Sequence, residues 1–174
     1  MENFEQRKNY EKRGENALDN YYCQITNIIP NNLIGVEEKV ECEFEGVKFK
    51  GYIDRIDKNE DGTYTIYDYK TGNNKNYDIG IDKNREDYYN QMAWYKFFYE
   101  LKTGNTVSIT KFIYPEDFES KNNGIEYTKE ELEERIEKFK SAIKNIENCN
   151  FEPSFNKNAC KYCQYSDFCK INTI

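Results

Sequence analysis

Apolar and polar positions along the chain change period several times, and each change marks an element. Over residues 2–25 a polar background is punctuated by Phe4, Tyr10, Leu18 and Tyr21 or Tyr22 at helical spacing, with Gly14 as a point of bending or breakage. IIPNN then ends the helix, because proline cannot extend it. A period of two takes over in residues 36–44, resumes after Glu45-Gly46 in 47–57, and returns in 64–70 beyond the turn-forming run KNEDGT. These three segments predict an antiparallel meander. Residues 71–84, TGNNKNYDIGIDKN, form a polar stretch that reads equally as a connector or as a lid over substrate. A helix is predicted over 85–102, with Met92, Trp94 and Phe98 packed inward, followed by a strand at 106–114. Residues 128–146 read as a charged amphipathic helix whose acid–base pairs form a solvated face. The predicted class is α/β: a small mixed sheet, opening with a three-stranded antiparallel meander and flanked by helices.

The second and third strands carry the chemistry. Alternate residues of a strand share a face, so Asp68 and Lys70 point one way and Tyr69 the other. Closing the KNEDGT turn lets Asp54 lie across from Asp68, bringing two carboxylates and a lysine to one point. Two ionised carboxylates in reach of each other repel, and a divalent cation bound to both removes the repulsion. An all-oxygen site suits Mg²⁺ or Mn²⁺ better than zinc. Such a metal polarises a phosphoryl oxygen and lowers the pKa of a bound water. A lysine beside it orients that water or offsets charge on the phosphate. A lone D-x-K triplet is also what an exposed charged strand contains; the longer pattern, GYIDRID followed by a turn and DYKTG, is far more specific.

That longer pattern resembles the PD-(D/E)XK nuclease superfamily, in its RecB-like branch. Gly51, Asp54, Arg55, Asp57, Asp68, Lys70, Thr71 and Gly72 carry the resemblance, which extends over most of the chain from about Val36. It implies a restriction-endonuclease-like core and metal-dependent DNA phosphodiester cleavage in repair or recombination, with Asp54 and Asp68 holding the metal and Lys70 acting beside it. The branch also has a Q-x-x-x-Y motif after these strands. Gln91 and Tyr95 match it, and their spacing puts both on one helix face, where they would position substrate or the lysine through hydrogen bonds. The branch carries a histidine or an acid on an early helix. That ligand is expected upstream or lost, with Glu15 as the alternative within these residues, although GENALDNYY reads more like the later helix that leads into the sheet. Members include nuclease domains joined to helicases, so DNA and a helicase domain or subunit are the expected partners.

Composition constrains this reading. The 174 residues suit one domain, taken here as a RecB-like nuclease domain over 1–174 and a piece of a larger protein, with a cysteine-rich tail at 150–174. A third of the residues are charged, yet sixteen tyrosines and eleven phenylalanines supply large buried area. The net charge of -7 is unusual for a protein that grips DNA alone, since phosphate neutralisation supplies most such affinity. Acids concentrated at a metal site, or a separate DNA-holding domain, would reconcile the two. The chain has no histidine, which excludes Ser-His-Asp and Cys-His catalysis and imidazole-bound zinc. No apolar run is long enough to span a membrane, and no signal peptide opens the chain, so a cytoplasmic location is expected.

ACKYCQYSDFC places Cys160, Cys163 and Cys169 at C-x2-C-x5-C spacing. In a reducing compartment such spacing points to metal before disulfide, and three thiolates need a fourth ligand for zinc or a [4Fe–4S] cluster. Three reduced thiols in an ordinary tail are the plain alternative. Iron–sulfur members of the resembled family have this triplet with a fourth cysteine well upstream. Cys23 is preferred for that place over Cys42, and Cys149 departs from the pattern. A reading from a different class remains: a catalytically silent module of the same fold that docks on DNA ends or on a helicase.

Overall fold

Glu45 and Gly46 take positive φ values of 51° and 76°, the paired left-handed conformations that a two-residue hairpin needs. Their turn closes β1 (Leu33–Phe44) onto β2 (Val47–Lys58) in antiparallel register, from Phe44↔Val47 back to Leu33↔Asp57. β2 then turns into β3 (Tyr64–Tyr69) with Asn59 N–H donating to Thr63 O at 2.8 Å. The Asp61 carboxylate accepts from both the N–H and the hydroxyl of Thr63, at 2.9 and 2.6 Å, which pins the turn read in KNEDGT. The computed structural model describes residues 4–25, 32–71, 86–116, 124–151 and 160–165. Pro30 and its helix break, Gly72, the rest of the polar stretch after it, and Cys169 lie outside the described residues.

The fourth strand, β4 (Val107–Ile113), pairs with β3 in parallel, giving a mixed sheet of order β1-β2-β3-β4. A parallel pair needs a crossover, and α2 (Glu86–Thr103) supplies it between the two strands. The helix turns Met92, Ala93 and Tyr99 into the core. One cluster joins Val40, Ile53, Ile56, Ile66, Tyr99 and Val107; a second joins Met92, Phe112, Tyr114 and Ile125. Lys96 ties the helix to β4, donating to Glu100 at 2.7 Å and to the Val107 carbonyl, while Glu100 accepts Val107 N–H at 2.7 Å.

The helices depart from expectation in places. α1 (Phe4–Ile25) runs unbroken through Gly14, which costs about 1 kcal/mol relative to alanine without ending the helix. Phe4, Tyr10, Leu18 and Tyr22 are exposed, whereas Ala17 is buried and Tyr21 is half-buried. Trp94 is also exposed; its neighbour Ala93 takes the buried position, because a small side chain lets α2 approach the sheet. α3 (Lys129–Glu147) starts with a reciprocal cap: Thr128 N–H donates to Glu131 Oε2 at 2.9 Å and Glu131 N–H to Thr128 Oγ1 at 3.1 Å. The chain divides into two compact units, 1–135 and 136–174, of which the first holds α1, α2 and the sheet. None of the helices among the described residues is long and apolar enough to cross a membrane.

Among the described glycines, Gly124 is the one where a side chain is least tolerable. Its φ is +82°, and an added Cβ would meet Ile109 Cδ1 at 2.9 Å and Lys111 Cγ at 3.0 Å beside the Thr110↔Ile125 bridge. Gly124→Ala is expected to cost roughly 1–2 kcal/mol in backbone strain alone, with the crowding added to it. Urea unfolding of the two proteins measures the difference.

Candidate active site

Asp54 sits where two ladders are interrupted. The β1–β2 pairing passes from Glu38↔Ile53 to Val36↔Arg55 over Glu37 and Asp54, and Glu37 takes a positive φ of 50°. The β2–β3 pairing starts at Arg55↔Tyr67, and that register carried one step further puts Asp54 opposite Asp68. With no ladder partner there, Tyr69 N–H donates instead to Asp54 Oδ2 at 2.7 Å. Asp54 keeps part of its side chain in solvent, while Asp68 is buried.

Lys70 lies over the Asp68 side chain, its Nζ 2.7 Å from Asp68 Oδ2. A carboxylate oxygen accepts more than one contact, so Oδ2 retains acceptor capacity in a buried place. Burial pushes the Asp68 carboxyl above the ordinary carboxylate range; Lys70 opposes the shift and Asp54 adds to it. The ammonium also lies 4.9 Å from the Tyr88 ring centre and 5.4 Å from that of Phe112. These rings narrow the directions in which Lys70 can reach.

Gln91 joins the group from α2. Lys70 Nζ donates to Gln91 Oε1 at 3.0 Å, and Gln91 Nε2 donates to Asp68 Oδ1 at 3.2 Å and to Tyr95 OH at 3.1 Å. One amide therefore links the lysine, the buried acid and the tyrosine. Burial raises the Tyr95 pKa, with Gln91 opposing and Asp68 and Asp54 adding to the rise, so its hydroxyl stays protonated at neutral pH. Asp54 from within β2, Asp68 and Lys70 from the end of β3, and Gln91 and Tyr95 from α2 thus gather in one place.

The family model for the PD-(D/E)XK nuclease superfamily matches residues 5–170. The chain belongs to the PD-(D/E)XK nuclease superfamily. Among solved structures, the protein named "Putative exonuclease" from Eubacterium rectale is similar at 20% identity and a TM-score of 0.55. The likeness covers 94% of this chain and 60% of that one, so the chain spans less than two thirds of that protein's length. A second structure, SSO0001, is similar at 19% identity over 97% of this chain and 82% of that one, with a TM-score of 0.46. At 20% identity the first likeness establishes a shared fold. No curated protein matches the chain. Nucleases of the superfamily generally use Mg²⁺ or Mn²⁺.

Other sequence candidates are placed differently. Glu15 is exposed on α1, and among the described residues no group of three or more Asp, Glu or Cys side chains could hold a metal, so Glu15 does not complete a set with Asp54 and Asp68. Cys23, Cys149 and Cys163 are exposed, and Cys42 and Cys160 are half-buried. Cys160 and Cys163 share a turn in which Cys163 N–H donates to Cys160 O at 3.2 Å.

Arg55 and Asp57 serve the opposite face. Arg55 Nε and Nη2 donate to the two Asp57 oxygens at 2.8 and 2.7 Å, both residues are buried, and the guanidinium lies 5.1 Å from the Tyr67 ring centre. Burial and the neighbouring Asp57 push the Tyr67 hydroxyl up to about 12. The DRID run therefore supplies one carboxylate to the site and a buried ion pair behind it. Tyr88 and Phe112 carry no sequence signal for their place beside Lys70, while Tyr21 and Tyr69 were legible only as a helix position and as the residue facing away from Asp68 and Lys70.

Proposed function

We propose that this chain is a divalent-metal-dependent deoxyribonuclease of exonuclease type, acting in DNA repair or recombination as the nuclease module of a helicase–nuclease. The observation that carries the reading is the convergence of Asp54, Asp68, Lys70 and Gln91 in one place, in a chain of this superfamily. The family pattern of an aspartate followed by D-x-K is met by Asp54 and Asp68-Tyr69-Lys70, with Ile53 in place of the proline. The donor set fits Mg²⁺ or Mn²⁺: both acids are hard oxygen ligands, and Asp68 Oδ2 is buried and retains acceptor capacity. Mg²⁺ is commonly held by one or two carboxylates, with water and phosphate filling the rest.

Asp54 and Asp68 would hold the ion, which when bound supplies Lewis acidity toward a phosphoryl oxygen and acidifies water. The Asp68 carboxylate would be the form that binds the ion, with Lys70 beside it to offset its charge. The Lys70 ammonium, held by Gln91 and Asp68 and confined by Tyr88 and Phe112, would offset charge growing on a phosphate bound beside it. Tyr95, through Gln91, fixes the amide's orientation so that its oxygen faces Lys70 and its nitrogen faces Asp68. The net charge of -7 predicts weak intrinsic DNA affinity that falls further with salt, in keeping with a partner domain that holds the strand.

Gln91→Leu keeps the bulk and removes all three hydrogen bonds. Turnover is expected to fall roughly 10–100-fold, as for other residues that orient metal-site groups, with little change in thermal midpoint. The function itself is tested by incubating end-labelled single-stranded and duplex DNA with Mn²⁺ at low salt. Stepwise loss of terminal nucleotides, abolished by chelation, is the expected result. Retention of intact DNA without cleavage would favour the silent docking module. Cys160, Cys163 and Cys169 are proposed as ligands of a structural [4Fe–4S] or zinc site, on the strength of the C-x2-C turn and the spacing to Cys169. Iron, sulfide and zinc analysis of anaerobically purified protein tests this.

A further inference from the structure

Tyr69 stands between the two residues of the D-x-K triplet, and its two ends do different things. Its backbone N–H donates to Asp54 Oδ2 at 2.7 Å on the site side. On the reverse face its hydroxyl is hydrogen-bonded to that of Tyr21 from α1, with the rings edge to face at 5.6 Å and 82°. The Arg55 guanidinium, which Asp57 holds in a two-pronged pair, lies close enough to the same hydroxyl to act on it electrostatically. The Asp54 carboxylate is thus anchored to a backbone position that α1 and the buried ion pair fix from behind. Asp54 needs such an anchor because both strand ladders are interrupted beside it.

We propose that Tyr69, clamped by Tyr21 and Arg55, is a positioning residue that sets the Asp54 carboxylate for metal binding. This rests on the metal-dependent reading of the site and extends it to α1. The helix then contributes to the site through a hydrogen bond on the reverse face of the sheet. The Tyr21 hydroxyl reaches the site only by moving the β3 backbone, since its own side chain lies on the far face. Loss of the clamp leaves Asp54 chemically intact but less often in place, so its effect falls on metal affinity before it falls on substrate affinity. Excess metal offsets a loss of that kind.

Tyr21→Phe and Tyr69→Phe each remove one hydroxyl and keep the ring. Two readouts are taken on the full chain: calorimetric titration with Mn²⁺ alone, and amide exchange of residue 69 by NMR. We expect Mn²⁺ dissociation constants to rise roughly threefold to tenfold, the value of one hydrogen bond, and residue 69 exchange to quicken by a similar factor while Ile66 is unaffected. DNA cleavage should return to the wild-type rate at high Mn²⁺, with KM for DNA unchanged. Unaltered Mn²⁺ affinity and unaltered residue 69 exchange in both variants would overturn the clamp, even if the thermal midpoint fell. Wild-type protein that binds no Mn²⁺, while residue 69 exchange still responds to Tyr21→Phe, would overturn the nuclease reading and leave the hold on Asp54 supported.

Discussion

Asp68→Asn is expected to reduce Mn²⁺-dependent DNA cleavage by about a hundredfold or more, equivalent to roughly 3 kcal/mol of barrier, and to leave the fold intact. The side chain is replaced by one of the same shape that is neutral, and Gln91 can still hydrogen-bond to it. The metal-free stability should move the other way from activity. Burial raises the Asp68 pKa in the folded protein, so the folded state binds this proton more tightly than the unfolded chain does. The stability from that proton is fully present below the ordinary carboxylate range at about pH 4 and is lost as pH rises through the raised value. Asparagine has no such loss. The thermal midpoint of the variant relative to wild type should therefore climb with pH over that window, measured without metal. A variant less stable at pH 7 and equal in activity would reverse both expectations. Function at this residue is held at a cost in stability, as is common where a site needs a buried charge.

Asp57→Ala is expected to destabilise the domain by about 3–5 kcal/mol, because it leaves the Arg55 guanidinium buried without its counter-ion. Burial acts against the charged form of Arg55, and the Asp57 and Tyr69 hydrogen bonds more than offset it, so its pKa is raised on balance. Deleting Asp57 keeps the burial and removes the larger offset. Replacing both partners, as Arg55→Met with Asp57→Leu, should recover most of the lost stability, since a buried pair contributes little beyond a well-packed apolar one. Urea unfolding of the single and double variants measures this. The double variant should still bind Mn²⁺ less tightly, because Tyr69 loses Arg55. Stability and metal affinity then separate in one protein.

The meander, the helix at Gln91 and the superfamily were all legible in the sequence, and for physical reasons. KNEDGT has the residues that close a turn, Glu45-Gly46 tolerates two positive φ values, and alternation fixes which side chains share a face. Asp68 and Lys70 follow from that alternation directly. The side-chain faces of α1 were not legible. Its apolar residues do not form one stripe, and the buried contact is made by Ala17 and the ring of Tyr21, which composition cannot tell from Tyr22. Trp94 was misplaced for a related reason: hydrophobicity alone favours burying an indole, but close helix–sheet approach favours Ala93. Arg55 and Asp57 were visible as part of a pattern, yet their work as a pair on the reverse face depends on the register across three strands. An acid on α1 was visible as Glu15, but residue type alone does not say where a side chain on a helix lies; Glu15 is exposed.

The central claim is that Asp54 and Asp68 share one divalent ion beside Lys70. Anomalous diffraction from a crystal grown with Mn²⁺ tests it most directly. A single Mn²⁺ peak bounded by both carboxylates, absent from Asp68→Asn crystals grown alike, is the predicted result. A well-ordered site without such a peak at saturating Mn²⁺, or a peak held elsewhere on the chain, would contradict it.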